Sequence, residues 1–149
     1  MTAVGSSSNS GFHYGNPALD CGGAQLRRQC RQLATVLTVT GTLDITNVDL
    51  VMAHARKYAI PEKPVILDLS GVTSFDAQAI ALLDAVDEAC CAINEQWMLI
   101  ASPQVVRTLR LCGVEDTFPT LGSVAEALQN VSDVVCERRR LLPILQKSA

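Results

Sequence analysis

The sequence is poor in aromatic side chains: one Trp, two Tyr and three Phe in 149 residues. So few rings give no stacking platform for single-stranded nucleic acid. A strong charge of either sign is also missing, since twelve Lys and Arg stand against fifteen Asp and Glu, for a net charge of -3. That balance supplies no field to hold a phosphate backbone, so direct nucleic-acid binding is not expected. No apolar run approaches the roughly 18 residues that cross a bilayer. The N-terminus has neither a basic stretch nor an apolar stretch of the secretory kind. Neither GxxxxGK[ST] nor GxGxxG occurs, which leaves a nucleotide cofactor without support. The six cysteines (Cys21, Cys30, Cys90, Cys91, Cys112 and Cys136) form no CxxC pair, and His13 and His54 stand at no zinc-ligand spacing from them. No metal, no cofactor, reduced thiols and a cytoplasmic location are therefore expected.

What is present is a chain 48% hydrophobic, mostly Ala, Val and Leu. A length near 150 residues suffices for one domain that buries roughly 70% of its unfolded surface. Residues 1–23 are rich in Ser, Gly and Asn and read as a disordered leader. From there strands and helices alternate. Gln25–Cys30 and Leu33–Thr40 are strand-like, the second strongly β-branched. Gly41-Thr42-Leu43-Asp44 ends that strand, and Thr46 is placed to cap a helix reaching about Ala59, with Val48, Val51, Met52, Ala55 and Tyr58 at helical spacing. Pro61 and Pro64 close it. Val65–Leu69 is a short apolar run of the kind found in a strand covered on both faces.

A loop, Ser70 to Phe75, follows, and Asp76 is placed to cap a helix from Ala77 to about Glu95. Ala79, Leu83, Val86, Cys90 and Ile93 share one face of it; Asp84, Asp87, Glu88, Cys91 and Glu95 share the other. Trp97–Ala101 reads as a strand. Ser102-Pro103 opens a helix that Gly113 stops. Ser123-Val124-Ala125-Glu126 is a capping box for a last helix through Val131. Residues 131–149, with Arg138-Arg139-Arg140, Leu141–Leu145 and an interrupting Pro143, read as a basic-hydrophobic tail with a solvated helix end. The alternation predicts an α/β fold.

Four segments in this order carry more than a fold class: Gly41-Thr42-Leu43-Asp44, then Val65–Ala79, then Val106–Val114, then Phe118-Pro119 with Ser123–Leu128. Over residues 24–130 this arrangement resembles the STAS family, the domain of bacterial anti-sigma factor antagonists. The resemblance implies a small mixed β-sheet with helices packed mainly on one side, and no catalysis. It implies an anti-sigma factor, itself a serine kinase, as partner, and an effect on sigma-factor-dependent transcription and stress response. The partner-binding surface it implies comprises Gly41, Thr42, Leu43, Asp44, Ser70, Thr73, Ser74, Asp76, Ala77, Gln78 and Ala79.

In such antagonists an Asp-Ser-Ser-Gly pattern opens the helix after the central strand, and the partner phosphorylates the second serine to release itself. A phosphate there is compatible with the helix N-terminus, while its bulk and its charge of about -1.5 to -2 disrupt a fitted interface. Here Asp76 matches the aspartate, but Ala77 and Gln78 replace the serines and Ala79 replaces the glycine. Gln78, at the phosphoacceptor position, has no hydroxyl. Ser70, Thr73 and Ser74 are the nearby hydroxyls that could substitute, although such groups more often serve turns.

Two other functions compete. One is an accessory STAS subunit of a lipid-transport ABC complex, docked on an ATPase. The other is a small α/β enzyme using Asp68, Asp76 or a cysteine, for which no nucleophile–base grouping is visible. Association into a homo-oligomer is left open.

Overall fold

The computed structural model describes residues 18–60 and 63–148, with side chains as far as Cys136. Its elements are strand β1 (Leu19–Asp20), β2 (Ala24–Cys30), β3 (Thr35–Leu43), helix α1 (Val48–Tyr58), β4 (Val65–Phe75), a 3-10 turn (Ala77–Ala79), α2 (Ile80–Ala92), β5 (Trp97–Ala101), α3 (Pro103–Leu111), β6 (Thr120–Leu121) and α4 (Val124–Ser148). The strands form one mixed sheet in sequence order. β1, β2 and β3 pair antiparallel, and β3, β4, β5 and β6 pair parallel. The expected mixed α/β sheet is therefore present.

Each parallel crossover carries a helix, which needs an apolar stripe to lie on the sheet. On α1 the stripe is Val48, Val51 and Ala55. On α2 it is Leu82, Leu83, Ala85, Val86 and Cys90. Apart from Ala85, these residues, with Val105 and Leu109 of α3, meet Leu37, Val39, Leu67 and Leu69 of the sheet in the main core. The opposite sheet face, through Val36, Ile66, Met98 and Ile100, is covered by Ala127 and Val131 of α4. Among the described residues, three helices thus lie on one side and one on the other.

Local signals set several boundaries. Ser102 Oγ accepts from the Val105 N–H at 3.3 Å, with Pro103 as the first residue of α3. Gly113, at φ +71°, ends that helix. At α4, Ser123 Oγ accepts from the Glu126 N–H at 3.1 Å, while Glu126 Oε1 accepts from the Gly122 N–H at 2.6 Å. The capping box forms, but its return bond reaches one residue beyond the cap.

The structure corrects five expectations. Leu19–Asp20 pairs with Gln25–Leu26, so the sheet begins inside the stretch read as a disordered leader; residues 1–17 of that leader lie outside the described residues. Gly41–Leu43 continues β3, because Gly41 adopts φ +96° and lets the strand bend without ending. The register of β3 against β4 shifts between Thr38 and Thr40 and again between Gly41 and Thr42. Ser70 to Phe75, read as a loop, is strand for the same reason: it pairs with Thr40–Leu43 across those irregularities. The helix expected from Ala77 begins as a 3-10 turn and ends at Ala92. Finally, α4 runs on to Ser148, past Val131 and Pro143. A helical proline forfeits one backbone bond, and the helix continues past it. The reading of Arg138 to Leu145 as a solvated tail concerns side chains outside those described.

Candidate docking surface

The parallel pairing of β3 with β4 brings the two decisive segments to one end of the sheet. Gly41 lies opposite Val72, Thr42 opposite Ser74 and Leu43 opposite Phe75. Beyond the last pair, the Asp76 N–H donates to the Leu43 carbonyl at 3.1 Å. Thr73 Oγ1 donates to the Gly41 carbonyl at 3.3 Å. α1 and α2 both start from this end. Of the sequence-derived residues, Thr73, Ser74, Asp76, Ala77 and Gln78 are exposed, and Gly41, Thr42 and Asp44 are half-buried.

Three residues are placed differently from the expectation. Leu43 and Ala79 are fully buried in the main core and support the surface from beneath without presenting a side chain to a partner. Ser70 alternates with the buried Leu69 on a strand, so it points to the opposite sheet face. There its Oγ donates to Asp68 Oδ1 at 2.6 Å, and its N–H donates to the same oxygen at 3.0 Å. These bonds also satisfy the one carboxylate in the central strand. Asp76, expected to cap with its carboxylate, makes no side-chain capping bond. Its carbonyl accepts from the Ala79 N–H at 2.9 Å, which winds the 3-10 turn.

Asp44 is a turn residue. Its carboxylate accepts from the hydroxyl and the N–H of Thr46. The Thr46 hydroxyl first, then the N–H of Thr46 and that of Asn47, hold the carboxyl below the usual carboxylate range. Segments 41–49 and 70–81 carry Asp44, Asp49 and Asp76 and no Lys or Arg, so this end of the sheet is acidic.

Two residues here escaped the sequence reading. Ile45 is 66% exposed beside Asp44, a large apolar side chain left in water at the centre of an otherwise polar turn. Asn47, not Thr46, occupies the N-cap position of α1, and its side chain does not cap the helix. An apolar residue inside a turn and an Asn before an apolar-periodic stretch were the available signals.

A family model described as STAS domain matches residues 25–127. The chain belongs to the STAS domain family. Osmosensory protein A of Mycobacterium tuberculosis is 41% identical over 140 residues, which cover 91% of this chain and 89% of that protein. Among solved structures, an anti-sigma factor antagonist from Mycobacterium paratuberculosis superposes with a TM-score of 0.66 at 20% identity, covering 73% of this STAS chain and 94% of that chain. The anti-sigma factor antagonist SpoIIAA in its unphosphorylated form gives a TM-score of 0.60 at 15% identity, covering 72% and 96%. At these identities the structural likeness shows the fold. Among the described residues of this STAS protein, no helix is long and apolar enough to cross a membrane.

Proposed function

We propose that this STAS protein is a non-enzymatic regulatory module that docks an anti-sigma factor and so acts on sigma-factor-dependent transcription. The docking face is the sheet end formed by Gly41–Thr46 and Thr73–Gln78. The observation that carries the reading is the exposed Gln78 at the start of the α2 crossover, which the STAS resemblance puts in the place of the antagonists' phosphorylated serine. Gln is neutral like an unmodified serine, but it offers no hydroxyl for phosphoryl transfer. The face is therefore held in the binding-competent charge state. The relative named for osmosensing points to osmotic stress as the input.

Calorimetric titration of the purified chain against the anti-sigma factors of its own organism tests this. One of them binds, and Gln78→Arg or Ile45→Asp abolishes binding without moving the melting temperature. Failure to bind any of them overturns the reading. Capture of a transporter ATPase by the same face favours the lipid-transport alternative.

A further inference from the structure

The turn between β1 and β2 lies against the docking face. Gly22 and Gly23, at φ +70° and +101°, form a two-residue hairpin turn closed by the Cys21 N–H donating to the Ala24 carbonyl at 2.8 Å. The Thr42 N–H donates to the Gly23 carbonyl at 2.9 Å. Asn47 completes the junction. Its side-chain amide donates to the Gly22 carbonyl at 3.0 Å and to the Thr42 carbonyl at 2.7 Å, and its Oδ1 accepts from the Asp44 N–H at 3.0 Å.

Asn47 is only 3% exposed, so its own amide is shielded from water, while the bonds it makes are partly buried. The amide orientation follows from chemistry: two carbonyl oxygens face one end and an N–H faces the other, which only a donor pair and an acceptor satisfy. An N-cap Asn ordinarily spends its oxygen on the helix's own N–H groups. Here it turns away from α1 and bonds three groups in two other segments.

We propose that Asn47 is the positioning residue of the docking face, and that through it the Gly22–Gly23 hairpin is a working part of that face. Displacing the hairpin moves Thr42 to Asp44, and fixing Thr42 to Asp44 against a partner fixes the hairpin. This rests on the docking reading above for its consequence, although the coupling itself is a property of the free chain. Asparagine is required. Aspartate has the same shape and keeps the bond to the Asp44 N–H, but it sets a carboxylate oxygen against two carbonyls. Alanine leaves all three groups unpaired.

The test compares Asn47→Ala and Asn47→Asp with Val131→Ala, a core truncation under α4 on the opposite sheet face, as a control for lost stability. Amide hydrogen exchange in the free proteins is expected to rise about tenfold or more at Thr42 in both Asn47 variants. The Thr42 N–H bonds to Gly23 and not to Asn47, which holds the carbonyls of Thr42 and Gly22, so its loosening reports loss of the junction as a whole. Exchange at Leu67, in the central strand, moves only with global stability. Anti-sigma factor affinity is expected to fall about tenfold or more in both Asn47 variants and to stay unchanged in Val131→Ala.

Unchanged exchange at Thr42 overturns the proposal, as does undiminished affinity in the Asn47 variants when the unaltered chain binds. If the unaltered chain binds no anti-sigma factor, the docking reading falls and the exchange result alone decides the coupling.

Discussion

The N–H of Asp76 donates to the carbonyl of Leu43 at 3.1 Å. This backbone bond lies one residue past the last β3–β4 pair, and it fixes the 3-10 turn bearing Gln78 to the strand that leads into Asp44. The carboxylate of Asp76 takes no part. Asp76→Ala should therefore change unfolding free energy by less than about 0.5 kcal/mol, where loss of a true N-cap costs about 1 kcal/mol. Urea denaturation decides between the two values.

Gly41 should tolerate no side chain. Its φ is +96°, and a Cβ built on it falls 2.5 Å from the Gly23 carbonyl oxygen, a backbone atom that cannot swing aside. The left-handed penalty alone is about 1–2 kcal/mol, and the clash adds to it. Gly41→Ala should lose more than about 2 kcal/mol by urea denaturation. Gly113→Ala, whose Cβ meets nothing within 4 Å, should lose less despite its φ of +71°.

Much of this arrangement was legible in the sequence, and what was not has a physical cause. The stripes of α1 and α2 stand out because burial repeats at the helical period. Ser102-Pro103 and Ser123 to Glu126 act within one turn of chain and can be read without a fold. Ser70 to Phe75 misled because Ser, Gly and Thr favour turns locally, whereas here they pair with Thr40 to Leu43 from more than thirty residues away. Asn47 was invisible for a similar reason. Its position beside α1 suggests a cap, but its partner Gly22 is 25 residues distant. The absence of a serine at Gln78 needed no structure; the exposure of Gln78 did.

The single tryptophan reports on the junction between α2 and β5. Trp97 is 6% exposed, and its Nε1–H donates to Asp87 Oδ1 at 2.8 Å. Asp87→Ala strands that donor and should cost about 1–2 kcal/mol. Asp87→Asn, which retains an acceptor, should cost less. Denaturation followed by tryptophan emission measures both.

Cys90 should make the protein less stable in alkali. Burial first, then the charges of Asp87 and Glu95, push its thiol up to about 11. The unfolded thiol ionises at its lower ordinary value, so between the two the unfolded chain sheds a proton that the folded chain keeps. Stability should thus fall as pH rises through this window and be unaffected by Cys90 below it. Cys90→Ala should flatten that slope. In native protein at neutral pH, Cys30, Cys91, Cys112 and Cys136 are exposed and should be alkylated, while Cys21 and Cys90 should react only on unfolding. Mass spectrometry counts the adducts.

The most direct measurement is the affinity of the chain for the anti-sigma factor proposed as its partner, with and without ATP and magnesium, followed by phosphate mapping. The expected result is one unchanged dissociation constant and no phosphate on the chain, because Gln78 offers no acceptor. Release of the complex on adding ATP, with phosphate on Thr73 or Ser74, would contradict it and place the switch on the hydroxyls beside Gly41 and Thr42.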